Sequence, residues 1–237
     1  FIQCHLKAPL METQVIVELF PLFSVASPET IEWIISVADE EHYAQNEEII
    51  KENDCGKAIY FIISGWVKVR SRDSSQELTL EILSKGDFWG EMEILDEPLK
   101  CIDVVALSEV HLISISAQRF LQMLFKDPQV HHKMLQLSVK RYRYLYRRLQ
   151  LRQQKPKIRL IKALIKFAET YGKLTSEGLE ILQFTNQDLA DASGISREEC
   201  QNIIIQLQNQ GCIEINTIQQ TLSLTNLKQL NHFAKQI

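Results

Sequence analysis

The feature that most constrains the fold is a change of texture partway along the chain. From about Tyr43 to Ser116 the sequence is a series of short apolar runs broken by turn residues: "EEIIKEN", "AIYFIISG", "WVKVRSR", "ELTLEIL", "DVVAL" and "VHLISIS". Runs of this length, repeated at roughly ten-residue intervals, predict antiparallel strands in a sandwich or small barrel. Asn46 and Asn53 sit at turns where a positive φ is expected, a conformation that Asn tolerates better than most non-glycine residues. Before this region, Ser27-Pro28-Glu29 is a helix start, with a capping hydroxyl and a proline at the first helical position, and "TIEWIISVA" continues it. After Ser116 the strands stop. "AQRFLQMLFKD" predicts a helix ending before Pro128. The class is therefore α+β, with the strands gathered in the first half.

From Gln129 to about Gln154 runs a stretch without Gly or Pro, which predicts one long helix. Val130, Met134, Leu137, Tyr144 and Leu151 follow a three-and-four spacing, with Arg141 and Arg148 at the remaining seam positions. Such an interrupted heptad suits a dimer helix, so a homodimer through residues 129–154 is expected. Pro156 ends that helix. "KIRLIKALIKFAETYG" predicts another, with apolar residues at 158, 161, 164, 165 and 168 and a stop at Gly172.

The sharpest motif follows, "TNQDLADASGISREECQNIIIQLQNQGCIEI". Thr185 and Asp188 resemble a capping box, and a short helix should run to Ala192. Gly194 permits a tight turn, and Ser196 caps a second helix that ends near Gly211. This spacing predicts a helix-turn-helix, with Leu189 and Ala190 packed inward. "CIEI" and "TLSLT", separated by "NTIQQ", predict a hairpin wing.

Charge divides the chain in the same way. The net charge is −4, yet residues 1–127 carry 10 basic against 22 acidic side chains, and residues 128–237 carry 16 against 8. Between Lys140 and Lys162 there are ten basic residues and no acidic one. A basic second half can face a polyanion, or can simply be a solvated basic helix, and charge alone slightly favours the latter. The five cysteines, Cys4, Cys55, Cys101, Cys200 and Cys212, form no CxxC pair or cluster, which argues against a disulfide framework or zinc site and for a reducing cytoplasm. No apolar run is long enough to span a membrane, and "FIQCHLKAPL" lacks the features of a secretory signal. Met11 is a candidate native start, with residues 1–10 preceding it. No paired carboxylates, Ser/His/Asp set or metal-ligand spacing point to an enzyme.

Taken together, "LFPLFSVASPETIEWI", "YFIISGWVKV", "LSKGDFWGEMEIL" and "SREECQNIIIQLQNQGCIEI" resemble, in order and spacing, the cAMP-receptor/FNR family of bacterial transcription regulators. The resemblance spans nearly the whole chain. It implies a β-roll sensor domain with flanking helices over 1–128, a dimerisation helix over 129–154 and a winged helix-turn-helix over 155–237. It also implies that the second helix of the motif reads DNA, with Thr185, Gln187, Ser196, Arg197, Glu198, Gln201 and Asn202 as candidate contacts. Arg197 suits guanine, Glu198 suits cytosine N4, and Gln201 or Asn202 suits adenine or the backbone. Asn202 departs from relatives that carry a second Arg there, and Ile205 and Gln206 replace common lysines. Phosphate contacts would then fall on Arg152, Lys155, Lys157 and the helix ends.

By the same resemblance, "GDFWGEMEILDEPLKC" is the phosphate-binding cassette. Gly90 and Glu91 match cyclic-nucleotide-binding members, in which the glutamate takes the ribose 2′-OH. Lys100 stands where Arg is expected and Cys101 where a hydroxyl is expected. A lysine is a point charge without the planar fork of Arg, and a thiol donates weakly. Glu93 replaces a small residue and brings a carboxylate near the phosphate position. Tyr144 and Leu145 stand where adenine-binding members carry small hydroxyl residues. The expectation is an effector pocket that has lost its cAMP grip, with the effector unknown and no cofactor assigned. Alternatives are a cAMP-responsive regulator with an atypical pocket, an interaction module with a degenerate DNA-binding domain, or redox sensing at Cys101 beside Lys100. An iron–sulfur sensor lacks the clustered cysteines, and His131-His132 reads as a solvated pair rather than haem ligands. Expected partners are double-stranded DNA, a second copy of the chain and RNA polymerase, with no membrane.

Overall fold

The computed structural model describes residues 13–50, 56–73, 76–96 and 102–235. Asn53, Lys100, Cys101, Cys4 and Cys55 lie outside them. The chain divides into two compact units, Phe1–Gln76 with Leu83–Arg143, and Glu77–Ile82 with Tyr144–Ile237.

The first unit opens with α1 (Thr13–Leu19), a 3-10 turn at Pro21–Val25 and α2 (Pro28–Val37). Ser27 caps α2 through the Thr30 amide, as its sequence predicts. Among the described residues eight strands follow along the chain: β1 (Asp39–Tyr43), β2 (Glu48–Ile50), β3 (Ala58–Ser64), β4 (Trp66–Asp73), β5 (Gln76–Ser84), β6 (Phe88–Trp89), β7 (Ile102–Ala106) and β8 (Val110–Ser116), with Glu77–Ile82 of β5 counted in the second unit. They form two four-stranded sheets, ordered β1-β8-β3-β6 and β2-β7-β4-β5. The pairs for which register is defined are antiparallel. Asn46 turns between β1 and β2 at φ 68°, as expected.

Two apolar clusters explain why the strands lack clean alternation. One lies between the sheets and joins Ile62, Leu112 and Trp89 to Val67, Leu83, Val104 and Ala106. The other joins Phe61, Ile113 and Ile115 to Phe20, Phe23, Ile31, Ile34, Phe120, Val130 and Met134 on the helical segments. The inner strands β3 and β8 are thus buried on both faces, and strands in that position read as near-continuous apolar runs. A short helix, α3 (Glu91–Leu95), occupies the cassette between β6 and β7.

After β8 come α4 (Ala117–Lys126) and α5 (Pro128–Leu151). Asp127 joins them. Its carboxylate accepts from the amides of Gln129, Val130 and Ser27 and from the Thr30 hydroxyl. The expected seam on α5 is corrected by the burial pattern. Val130 and Met134 are 0% and 2% exposed, inside the helix-side core, and Leu137 packs against it. Arg141, expected at the same seam, turns to Glu91. The apolar residues that α5 leaves exposed are Leu135, Val139, Tyr142, Leu145, Tyr146 and Leu149.

The second unit holds α6 (Pro156–Tyr171), β9 (Lys173–Thr175), β10 (Gly178–Leu182), α7 (Asn186–Ser193), α8 (Arg197–Asn209), β11 (Ile213–Asn216), β12 (Thr221–Leu224) and α9 (Leu227–Lys235). Its sheet runs β11-β12-β10-β9, all antiparallel. The β11–β12 hairpin is the expected wing, whereas β9, β10 and α9 were not anticipated. α6 buries Ile158, Ile161, Leu164, Ile165 and Ala168, the five positions picked out by spacing.

Candidate nucleic-acid interface

The helix-turn-helix is built by local capping. Thr185 Oγ1 accepts from the Asp188 amide at 3.1 Å and donates to the Asp188 carboxylate at 2.7 Å. Asp188 is buried, and it also accepts from the Thr79 hydroxyl at 2.9 Å within the second unit. The resemblance to a capping box is therefore half met, because this carboxylate takes hydroxyls rather than the Thr185 amide. Gly194 ends α7 in the left-handed region at φ 66°, ψ 39°, which a side chain would strain. Its carbonyl accepts from Arg159 of α6 at 2.7 Å, an anchor for the turn that the sequence reading did not identify.

Ser196 then starts α8 with a complete capping box. The Glu199 amide donates to Ser196 Oγ at 3.2 Å, and the Glu199 carboxylate accepts from the Ser196 amide at 3.0 Å. These bonds hold the Glu199 carboxyl below its ordinary range. With the helix entry fixed, the two faces of α8 separate. Cys200, Ile203, Ile204 and Leu207 are buried, while Arg197, Glu198, Gln201, Asn202 and Ile205 are exposed. The exposed set falls at i, i+1, i+4, i+5 and i+8, one continuous polar face with a single apolar member. Gln187 is exposed on α7, and its Nε2 donates to Asp191 at 2.8 Å. All seven candidate DNA contacts thus lie on α7, α8 or their caps.

Of the proposed phosphate contacts, Arg152 and Lys155 are exposed and Lys157 is half-buried. Lys157 Nζ stands over the Phe233 ring at 4.7 Å and beside Gln210 Oε1 at 3.4 Å. Cys200 and Cys212 are free and buried, and burial pushes the Cys200 thiol up to about 11. Both behave as core residues.

The cassette in the first unit has a different character. Gly90 adopts φ 96° before α3, and a Cβ there would stand 2.5 Å from the Ala58 carbonyl oxygen, so glycine is required. Glu91 is buried and paired with Arg141 Nη1 at 2.5 Å. Arg141 also donates to the Phe88 carbonyl at 3.3 Å and stacks over the Phe88 ring. Burial raises the Glu91 carboxyl, Arg141 opposes that shift, and Glu93 adds to it. The carboxylate expected to meet a ribose is thus already engaged by the chain itself. Arg141 was missed as a site residue because its charge was read as a flaw in an apolar seam. Tyr144 belongs to the second unit, where Lys166 Nζ lies 3.2 Å from its ring centroid. Lys100 and Cys101 fall outside the described residues.

Comparison with known proteins assigns the two regions to known domain families. Residues 40–127 match the cyclic nucleotide-binding domain, and residues 158–233 match the Crp-like helix-turn-helix domain. The chain belongs to the CRP/FNR family. It is a transcription regulator of that family with a helix-turn-helix DNA-binding domain. A "Cyclic AMP receptor protein" from Thermus thermophilus is 29% identical over 198 residues, covering 82% of this chain and 88% of that protein. The "cAMP-activated global transcriptional regulator CRP" of Escherichia coli O6:H1 is 26% identical over 195 residues, covering 78% and 89%. The solved structure of FixK2 from Bradyrhizobium japonicum shares the fold, with a TM-score of 0.70 at 20% identity over 83% of this chain and 96% of that one. Among the described residues no helix is long and apolar enough to cross a membrane.

Proposed function

We propose that this CRP/FNR-family chain acts as a homodimer that binds operator DNA sequence-specifically through α8. The observation that carries the reading is the capped α8 with Arg197, Glu198, Gln201 and Asn202 on one exposed face. A helix presented this way suits the major groove, with its first residues at base edges. Arg197 reads guanine, Glu198 accepts from cytosine, and Gln201 and Asn202 offer amides for adenine. Thr185, Gln187 and Ser196 lie where the ends of the two helices meet the phosphates, and Arg152, Lys155 and Lys157 supply charge without specificity. The functional division is a sensor over 1–128, a dimerisation helix over 129–154 and a DNA-binding domain over 155–237.

The second copy is expected on the outer face of α5. Leu135, Val139, Tyr142, Tyr146 and Leu149 are spaced by four, three, four and three, a heptad seam, and each is at least half exposed. A stripe of this kind is apolar surface that a partner helix buries.

For the effector, the reading is a cassette that no longer grips cAMP. Its support is the Lys100-Cys101 pair in place of Arg and a hydroxyl, together with the Glu91–Arg141 ion pair. The second reading, a cAMP-responsive regulator, is favoured by the left-handed Gly90 turn at the start of α3 and by the names of the relatives. Gel retardation of genomic duplex fragments, with unlabelled specific and unrelated duplexes as competitors, tests the main reading. Retention that only the specific fragment displaces supports it. Equal displacement by any duplex removes sequence specificity, and no retention leaves the interaction-module alternative.

A further inference from the structure

A cluster at the edge of the first unit plays no part in either site. His42 of β1 lies directly opposite His111 of β8 in the antiparallel register, so both side chains leave the same face. Glu40, two residues before His42, projects from that face as well. The two imidazole rings stack at 4.2 Å and 16°. Glu40 Oε1 lies 3.9 Å from His42 Nε2 and in contact with His111 Nε2. One ligand atom from each of the three residues falls within 4.8 Å of the others.

Glu41, on the opposite face, is committed to the hydroxyls of Tyr43 and Ser114. Among the described residues the partners of Glu40 are the two histidines. His111 Nε2 is buried and, despite its contact with the carboxylate, makes no hydrogen bond of proper geometry. A buried ring nitrogen beside a carboxylate and a second imidazole is a donor set that suits a transition-metal ion.

We propose that Glu40, His42 and His111 bind a single divalent transition-metal ion of the zinc class. Two imidazole nitrogens and one carboxylate oxygen are the borderline donors such an ion selects, whereas calcium and magnesium prefer oxygen alone. Tetrahedral zinc with bonds of about 2.0–2.1 Å holds its donors roughly 3.3 Å apart, so Glu40 and His111, now in contact, must part to admit the ion while His42 closes on it. Stacked rings cannot both aim their nitrogens at one ion, and His42, with a side chain 70% exposed, is free to rotate. Binding then ties β1 to β8, and water fills the open coordination position.

The test is titration of the full-length, metal-stripped protein with Zn²⁺ alone, followed by calorimetry and by elemental analysis after dialysis. Co²⁺ serves as the optical probe. One ion per chain is expected, with a rise in melting temperature on Zn²⁺ addition. His42→Ala removes a ligand at an exposed position and should weaken binding roughly tenfold or more, since even outer partners of metal ligands matter that much. His111→Asn should do the same, and Glu40→Gln should weaken binding to a smaller degree. Folding of each variant is read from its circular dichroism. Absence of saturable binding overturns the site. So does stoichiometric binding that His42→Ala and His111→Asn leave unchanged, because a cysteine elsewhere would then hold the ion.

Discussion

Asp127 has both carboxylate oxygens in use, capping α5 and fastening the start of α2. Loss of a helix cap costs about 1–2 kcal/mol, so Asp127→Ala should lower the unfolding free energy by at least that in urea titration. Burial pushes this carboxyl up, but bonds from Ser27, Thr30, Val130 and Gln129 outweigh it and hold the group below its ordinary range. A depressed folded value means the stabilisation is present above the ordinary value of about 3.9 and fades as pH falls through the folded one. The stability gap between the native protein and Asp127→Asn should therefore narrow below about pH 4. The cassette gives a second prediction at this scale. Calorimetry should find cAMP dissociation weaker than about 100 μM, since a lost bidentate charged contact costs ~1.5–3 kcal/mol. Lys100→Arg with Cys101→Ser should improve binding several-fold, and tight binding by the native protein would contradict the reading of the cassette. The substitutions at 100 and 101 were legible in sequence. The engagement of Glu91 by Arg141 was not, because it joins residues 50 positions apart.

At the scale of elements, α5 carries apolar residues on two faces. Periodicity detects such stripes but cannot say which one the chain's own core consumes. Val130, Met134 and Leu137 were read as the dimer seam, and the structure puts them against Phe61, Ile113 and Phe120. The two faces should respond differently. Met134→Ala removes packing from a filled core and should cost ~2–5 kcal/mol of stability. Leu135→Glu with Leu149→Glu should leave the fold of the chain intact by circular dichroism and shift sedimentation from dimer to monomer at micromolar protein. A dimer that persists in the double variant places the interface elsewhere. The helix-turn-helix was legible because Thr185, Gly194, Ser196 and Glu199 fix it by local chemistry. The β9–β10 hairpin and α9 were not. "KLTSEGLEIL" has a single short turn and few β-branched residues. α9 does carry a cap signal, Asn226, whose Oδ1 accepts from the Gln229 amide at 3.0 Å, but it follows the wing at once and was overlooked.

For the whole molecule, the charge division and the order of the elements carried the family assignment before any coordinates. A dimer reading DNA with α8 needs paired half-sites about one helical turn, ~34 Å, apart. Lys157→Ala should weaken binding to all duplexes alike and lower the salt slope by about one unit, as loss of one phosphate contact does. Arg197→Ala should behave differently, losing ~1–3 kcal/mol on the preferred site and relaxing one symmetric base pair in each half-site. The most direct measurement is selection of binding sites from random duplex DNA by the native protein and by Arg197→Ala in parallel. The account predicts a two-fold symmetric site for the native protein, with a guanine in each half-site that the variant no longer requires. An unchanged base preference in Arg197→Ala, or the absence of any enriched symmetric site, would contradict it.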